Sequence, residues 1–312
     1  MNVQNGIKKP SLSELPKITD RMTFIYLEHC RINREDGAVK VTDMEGTIYI
    51  PASAITVLLL GVGTEITHRA MELIGDMGIS VIWVGEHGVR YYAHGRALNS
   101  HTHLLLKQAK LVSNERLHLD TVKKMYGLRF KGEDMSGLTM QQLVGREGAR
   151  MRRIYREQSK LHNVEWKGRD YDVDDFYSGT SVNQALSAGN VCLYGLATAV
   201  ITALGCSAGL GFIHTGNELS FAYDIADLYK AETTIPLAFQ IASEEVQDIP
   251  NAVRRRMRDI FKKTHILETM VRDIKYIFGE SELEEPEFDI ALWDSHDRLL
   301  KSGVAYGKDE EQ

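Results

Sequence analysis

Cysteine, proline and tryptophan are scarce in this chain of 312 residues, which contains three Cys, six Pro and three Trp. Cys30, Cys192 and Cys206 lie far apart in the sequence. That spacing excludes CxxC pairs and the zinc sites that need clustered thiols. Three isolated cysteines are typical of a reducing compartment, so we expect a cytoplasmic protein without disulfides.

Long hydrophobic runs are also lacking. No stretch looks like the ~20 apolar residues that span a bilayer, so we expect no membrane association. Residues 1–20 include three lysines but no apolar run, so we expect no signal peptide there. Hydrophobic residues still make up 43% of the chain, and the mean hydropathy is −0.24. This composition supports the core of two modest domains or one large one.

The formal net charge is only −6, and the charge is unevenly distributed. Segment 280–312 contains eleven acidic and three basic residues and carries −8, so the rest of the chain carries +2. A near-neutral body can present basic surfaces, and an acidic tail is typical of a solvated or partner-binding appendage. The net charge therefore does not exclude nucleic-acid binding.

The hydrophobic pattern changes along the chain. Between about residues 21 and 94, Gly and Asp/Asn turns separate short runs of β-forming residues. These runs are 22–32, 38–42, 47–50, 55–60, 79–84 and 89–93, with one amphipathic helix at 67–77. After His101 the period is helical, and the predicted helices are 104–129, 140–161, 181–204, 220–231 and 251–278. Thr139 and Gln142 form a capping-box pattern, and Pro236 and Pro250 mark breaks.

These patterns predict an α+β protein. An N-terminal β-sandwich domain would occupy residues 1–95, and an all-α domain would occupy 96–279, with a linker near 94–100. The acidic C-terminal tail would occupy 280–312.

Segment 145–160 combines one carboxylate, Glu147, with a strongly basic helix. Gly148 and Ala149 follow it, and such small residues allow close approach of another backbone or a ligand. The ordinary interpretation is a solvated face on which Glu147 pairs with Arg150 at i,i+3. A functional carboxylate is the alternative, and the spacing alone does not choose between them.

A second candidate site lies at 211–228. An apolar run ends at His214 in a Gly-containing turn, and Asp224 and Asp227 then share one face of a helix that begins at Ser220. Two carboxylates on one face repel each other unless a cation or base neutralises them. A nearby imidazole would make a mixed N/O site suited to Mn²⁺ or Mg²⁺. The alternative is a capping aspartate and a core histidine.

A third segment, 254–263, carries six basic residues and one acidic residue. Such a stripe can follow a phosphate backbone, although a lone charge run is usually a solvated helix face. A second basic helix at 146–160 favours nucleic-acid binding.

Five ordered motifs resemble one family, the CRISPR-associated integrases of spacer acquisition called Cas1, and most closely its subtype I-E branch. The resemblance runs from about residue 20 to 263. It rests on VGExGVR at 84–90, GxEGxR at 145–150, CLYG at 192–195, GFxHTG at 211–216 and LSFxYDIAD at 219–227. It implies the same β-sandwich and helical catalytic domain that the patterning predicts.

The resemblance implies a metal site of one Glu, one His and one Asp. By position these are Glu147, His214 and Asp227, which would bind Mg²⁺ or Mn²⁺ and act as the catalytic residues. Asp224 would orient the ligands or serve as an alternative ligand.

The resemblance also implies DNA contacts. Positions that contact DNA in relatives match Arg90, Lys230, Arg254 and Arg258. Asn217 stands where close relatives often have Lys, which implies one phosphate contact fewer. His29, predicted on the first strand, stands where some relatives have a Tyr that stacks on the duplex end, and an imidazole stacks less extensively.

The implied reaction is the insertion of short DNA fragments into a CRISPR array, by attack of a 3′-hydroxyl on a repeat phosphodiester. The implied partners are double-stranded DNA with 3′ overhangs, CRISPR repeat DNA, a second copy of the chain and a small ferredoxin-like adaptation protein. The β-sandwich would take part in dimerisation and DNA contacts. Two alternatives are a general Mg²⁺-dependent nuclease that acts on branched DNA in repair, and a DNA-organising subunit without catalysis.

The acidic tail contains a loose period-2 pattern at 288–294, which predicts a strand. This strand could add to an exposed sheet edge of the small partner. Alternatively, it could cover the chain's own helical domain.

Overall fold

The structure, a computed structural model, describes residues 24–85, 90–95, 102–130, 132–135, 137–169, 179–280, 290–294 and 297–301, the last two as backbone only. Residues 1–23, for which we expect no signal peptide, lie outside the described residues. The same holds for 86–89 of the VGExGVR motif and for most of the predicted linker. Strands dominate up to residue 95 and helices dominate residues 102–280, so the predicted α+β class is confirmed. The boundaries of the three predicted domains remain predictions.

Two β-sheets form the N-terminal part. The strands are β1 Phe24–Leu27, β2 Arg31–Glu35, β3 Ala38–Thr42, β4 Thr47–Pro51, β5 Val57–Leu60, β6 Glu65–Ile66, β7 Ser80–Val84 and β8 Tyr91–Gly95. One sheet has the order β4-β3-β2-β6. The other contains β1-β5-β7-β8, in which β1, β5 and β7 run parallel and β8 is antiparallel to β7. The predicted strand 22–32 is thus two strands, one in each sheet.

The parallel strands are buried on both faces. In β1, Phe24 and Tyr26 pack into the core shared with the helices, while Ile25 and Leu27 pack into the core between the two sheets. The same alternation holds along β5. Strands covered on both sides are continuously apolar, as the VLLL run of β5 is. The helical layer therefore packs directly on this sheet.

Nine helices are present in the described part of the chain. They are α1 His68–Asp76, α2 His103–Ser113, α3 Glu115–Arg129, α4 Met140–His162, α5 Ser181–Ala203, α6 Ser220–Asp227, α7 Thr234–Ser243, α8 Ile249–Thr264 and α9 Ile266–Phe278. The capping box predicted at Thr139 and Gln142 begins α4.

The helical layer differs from the sequence prediction in three main ways. The helix predicted at 104–129 is interrupted at Asn114, whose side chain caps α3 by accepting a hydrogen bond from the Leu117 N–H at 3.0 Å. The helix predicted at 251–278 is interrupted at His265, which has φ +48°. The sequence pattern predicts no helix at the position of α7, because Pro236 indicates a break. Pro236 is the third residue of α7, where its missing N–H disrupts no intrahelical hydrogen bond.

Helix α5 corrects the expectation that no segment is long and apolar enough to span a membrane. It has 23 residues, its most apolar 18-residue window has a mean hydropathy of 1.5, and it is the one candidate within the described residues. The apolar window is 72% buried inside the protein, where α5 packs against α6, α7, α8 and α9. Helix α5 is therefore the central core helix of this layer.

The tail strand takes a position that neither sequence hypothesis foresaw. Strand β9, Ile290–Asp294, pairs in parallel with β1, and β10, Asp297–Lys301, pairs antiparallel with β9. The sheet order is thus β10-β9-β1-β5-β7-β8. The predicted strand exists, but it extends the chain's own N-terminal sheet rather than covering the helical domain. Parallel pairing gives the outer edge of β1 the backbone partner that an edge strand lacks.

Candidate active site

Asp224 organises the loop that carries His214. Its carboxylate accepts hydrogen bonds from the backbone N–H groups of Phe212, Ile213 and His214, at 2.5, 3.0 and 2.8 Å. The side chain is fully buried, since its residue is 0% exposed. Gly211 allows this turn, because a Cβ there would collide with the His214 carbonyl and with Ser220. The oxygens of Asp224 are thus used by hydrogen bonds from the loop. Asp224 is therefore better suited to orient His214 than to bind a metal ion.

The orientation of His214 is set by the same carboxylate. Its Nδ1 lies 2.8 Å from Asp224 Oδ1, so Nδ1–H donates to the carboxylate and Nε2 faces away. This hydrogen bond is the main reason that the pKa of His214 is raised, with burial acting in the opposite direction and Asp227 adding to the increase. The imidazole side chain is 44% exposed, so the alternative of a core histidine is wrong.

Glu147 lies in a different environment from the one predicted by its spacing to Arg150. Its Oε1 accepts a hydrogen bond from Arg129 NH1, and its Oε2 accepts one from the Tyr126 hydroxyl at 2.7 Å. Burial, reinforced by this carboxylate, raises the pKa of Tyr126. Arg150 instead pairs with Glu133 at 2.5 Å. The ordinary interpretation, a Glu147–Arg150 pair on a solvated face, is therefore wrong.

Asp227 lies between two cations. Lys230 Nζ is 2.5 Å from Oδ1 of Asp227, and Arg129 NH1 is 3.9 Å from Oδ2. The ammonium also donates a hydrogen bond to the Tyr194 hydroxyl at 2.7 Å. Burial alone would lower the pKa of Lys230, but Asp227 and Tyr194 outweigh it and the pKa is raised. Lys230 is therefore charged and holds Asp227 in place.

The predicted ligands converge on one region from separate elements. Glu147 is on α4, His214 on the loop before α6, and Asp227 at the end of α6. Arg129 contacts the carboxylates of both Glu147 and Asp227, and Asp227 is close enough to His214 to raise its pKa.

The donor set fits a divalent ion. One imidazole and two carboxylates are ligand types that Mn²⁺ and Mg²⁺ accept. Oδ1 of Asp227 is buried and pairs with Lys230 at 2.5 Å, and a carboxylate oxygen has a second lone pair that a metal ion can use. Within the described residues, no three His, Cys, Asp or Glu side chains are arranged to hold one ion. The carboxylates are instead turned toward Arg129 and Lys230.

Several residues at this site were missed by sequence reasoning. Arg129 and Tyr126, on α3, contact Glu147 directly. Gln108, fully buried on α2, hydrogen-bonds to the carbonyls of Ser207 and Leu210 and to the Ser207 N–H, which fixes the start of the His214 loop. No local pattern distinguishes these residues, because each acts across 18 or more positions of sequence.

His118 on α3 supports the same loop. Its Nε2 lies 2.7 Å from the Phe212 carbonyl oxygen, and its ring packs edge-on against Phe212 at 5.6 Å between centroids. The loop is thus held on its carbonyl side by His118 and on its N–H side by Asp224.

Two of the predicted DNA-contacting residues flank α5. Arg90 is exposed and directly precedes β8, and Arg254 is on α8. Both lower the pKa of the Cys192 thiol, although burial dominates and raises that pKa to about 12. The glycine of the CLYG motif explains the close packing, because a Cβ at Gly195 would lie 2.9 Å from the Cα of Arg90. Arg90 and Arg254 therefore both lie close to the segment of α5 that contains Cys192.

The basic stripe on α8 is partly neutralised. Arg258 pairs with Asp259 at 2.9 Å, and Arg256 forms two hydrogen bonds with Glu244. Arg254 makes no ion pair with a residue in the described part of the chain. Arg254, like the exposed Arg255 of the same stripe, is therefore available to meet a phosphate.

The two departures from the family pattern have local explanations. Asn217 Oδ1 accepts a hydrogen bond from the Leu219 N–H at 2.9 Å, which stabilises the turn before α6. A lysine at this position could not accept this hydrogen bond, because its side chain has no acceptor. His29 is not on the first strand, as predicted, but in the turn between β1 and β2 with φ +48°. Its ring is exposed and lies against Gly63.

Comparisons with known proteins identify relatives of this chain. The family described as CRISPR associated protein Cas1 matches residues 23–134. The CRISPR-associated endonuclease Cas1 of Clostridium sp. (strain SY8519) is 53% identical and covers 95% of this chain and 100% of its own length. The CRISPR-associated endonuclease Cas1 2 of Thermus thermophilus is 40% identical and covers 96% of this chain and 94% of its own length.

A solved TtCas1–DNA complex has the same fold. It is 41% identical to this chain and superposes with a TM-score of 0.80, covering 86% of this chain and 100% of that one.

Proposed function

Because the chain belongs to the CRISPR-associated Cas1 family, we propose that it is a metal-dependent DNA endonuclease and integrase that inserts short DNA fragments into a CRISPR array. The 3′-hydroxyl of a fragment attacks a phosphodiester at the edge of a repeat. A new phosphodiester forms, the old one breaks, and the 3′-oxygen of the repeat strand leaves. With water as the attacking group, the same site cleaves DNA.

The observation that supports this proposal best is the convergence of Glu147, His214 and Asp227 from three separate elements. These residues would hold a Mg²⁺ or Mn²⁺ ion. When bound, the ion would polarise the scissile phosphate and stabilise the leaving oxygen. Asp224 keeps the Nδ1 proton of His214 in place, so that Nε2 presents a lone pair toward the site. Lys230 holds Asp227 through an ion pair and can approach a phosphate at the same point.

The surrounding basic residues would align the two DNA backbones. Arg90, Lys230, Arg254 and Arg258 are the proposed phosphate contacts, and alignment of the reacting groups can supply much of the rate enhancement. The relative solved in complex with DNA supports binding of DNA by this fold. His29 is the proposed contact to the duplex end, where its exposed ring can stack on the terminal base pair.

Insertion of both fragment ends requires two active sites at a fixed spacing. We therefore propose a homodimer that acts with a small ferredoxin-like adaptation protein in the cytoplasm, on fragments with 3′ overhangs. In this arrangement the 1–95 domain contributes to dimerisation and DNA contacts, and the 96–279 domain is catalytic. The 280–312 tail remains a candidate for partner contacts in addition to its place in the sheet.

The test is the joining of a labelled fragment to supercoiled DNA that carries the repeat, with Mn²⁺. Glu147→Gln, His214→Ala and Asp227→Asn should each abolish joining. Glu157→Gln is the matched control, because Glu157 is on the same helix α4 and its exposed side chain pairs only with Arg153 among the described residues. Near-normal joining by Glu147→Gln would contradict the proposed site.

The same assay separates the two alternatives. A general repair nuclease would cleave branched junctions without joining fragments to the repeat. A DNA-organising subunit without catalysis would bind DNA, and the addition of Mn²⁺ would produce neither cleavage nor joining.

A further inference from the structure

The guanidinium of Arg129 occupies the space between the two carboxylates of the site. NH1 hydrogen-bonds to Oε1 of Glu147 and lies 3.9 Å from Oδ2 of Asp227. NH2 lies 3.4 Å from the Met151 sulfur, a weak acceptor. Nε is buried and makes no hydrogen bond within the described structure. These two carboxylates therefore balance the charge of Arg129. Its guanidinium also lies 5.6 Å from the centre of the Phe130 ring.

This contact involves the same carboxylate groups that a divalent ion would need. A guanidinium stays charged at every physiological pH, so it cannot vacate the carboxylates by losing a proton. The Arg129 side chain is only 5% exposed, so water and salt screen its charge weakly. A divalent ion bound to Glu147 and Asp227 would therefore face strong repulsion while the arginine remained in place.

We infer that Arg129 is a built-in counter-ion of the metal site, which holds Glu147 and Asp227 together in the metal-free protein and competes with the divalent ion for them. This inference rests on the proposed metal site. It makes Arg129 a positioning residue with a measurable consequence: its charge weakens metal binding. If Arg129 were purely structural, its loss would instead leave metal binding unchanged or weaken it, so removing Arg129 gives different results under the two interpretations.

The experiment measures Mn²⁺ binding to the full-length, DNA-free protein by electron paramagnetic resonance of the unbound ion. Arg129→Gln removes the charge and keeps a polar side chain. We expect it to bind Mn²⁺ about tenfold more tightly than the wild type, which corresponds to ~1.4 kcal/mol. Arg129→Met is the second variant, for use if the Gln variant does not fold, because methionine introduces no polar group that could remain unpaired. It should also bind Mn²⁺ about tenfold more tightly than the wild type.

Two further variants make the result decisive. Arg150→Gln also removes a positive charge, from α4 itself, but Arg150 pairs with Glu133, so its Mn²⁺ affinity should stay within about twofold of wild type. Glu147→Gln should lose binding. Unchanged or weaker Mn²⁺ binding by both Arg129 variants, with binding lost in Glu147→Gln, would overturn the counter-ion inference alone. Wild-type affinity in Glu147→Gln would instead overturn the proposed metal site.

Discussion

The replacement Asp224→Asn tests how the His214 loop is held. The wild-type carboxylate accepts four hydrogen bonds, two at each oxygen. In the isosteric amide, one oxygen becomes an NH₂ donor, so two of the four N–H groups face another donor. The residue is 0% exposed, so water does not replace the lost acceptor. Hydrogen bonds to a charged group contribute about 1.5–3 kcal/mol each, so the loss of two should lower the unfolding free energy by about 3–6 kcal/mol.

This loss is large but should leave a folded protein, since domains are typically stable by about 5–15 kcal/mol. An unfolding entropy of about 2.1 cal/mol/K per residue is about 0.7 kcal/mol/K for this chain, so thermal unfolding followed by circular dichroism should show a Tm lower by about 5–9 °C. Asp120→Asn is the matched control, because Asp120 is an exposed aspartate on α3, and its Tm should shift by at most about 2 °C. An Asp224→Asn variant within about 1 kcal/mol of wild type would show that the loop does not depend on this carboxylate.

Three further predictions concern the site, the basic stripe and the tail. In metal-free protein, the NMR-monitored pKa of His214 should fall in Asp224→Asn, since the hydrogen bond to Asp224 is the largest cause of its raised pKa; an unchanged titration would contradict that cause. Arg254→Ala should weaken DNA binding for every sequence and reduce the salt dependence by about one unit of log–log slope, whereas an unchanged slope would show that Arg254 is only a solvated side chain. Deletion of 280–312 should leave the edge of β1 unpaired and cause self-association in light scattering, because β9 supplies its backbone partner; a stable, unassociated truncated chain would contradict this role.

The sequence by itself determined the local elements and the candidate ligands. Continuous apolar runs, such as the one that forms β5, predicted buried strands, and Thr139 with Gln142 predicted the start of α4, because caps and periodicity are local properties of the chain. The motif residues Glu147, His214 and Asp227 were recognised from their sequence context. The structure brings these residues into one region, and their role as ligands remains a prediction.

Only the tertiary structure decided which groups surround those ligands. The spacing of Glu147 and Arg150 favoured an i,i+3 pair, yet the partner of Glu147 is Arg129, 18 residues earlier on another helix. The tail strand likewise pairs with β1, more than 260 residues away. A sequence pattern records periodicity within one element. Ion pairs and strand pairing between elements depend on how those elements pack, which only the folded chain fixes.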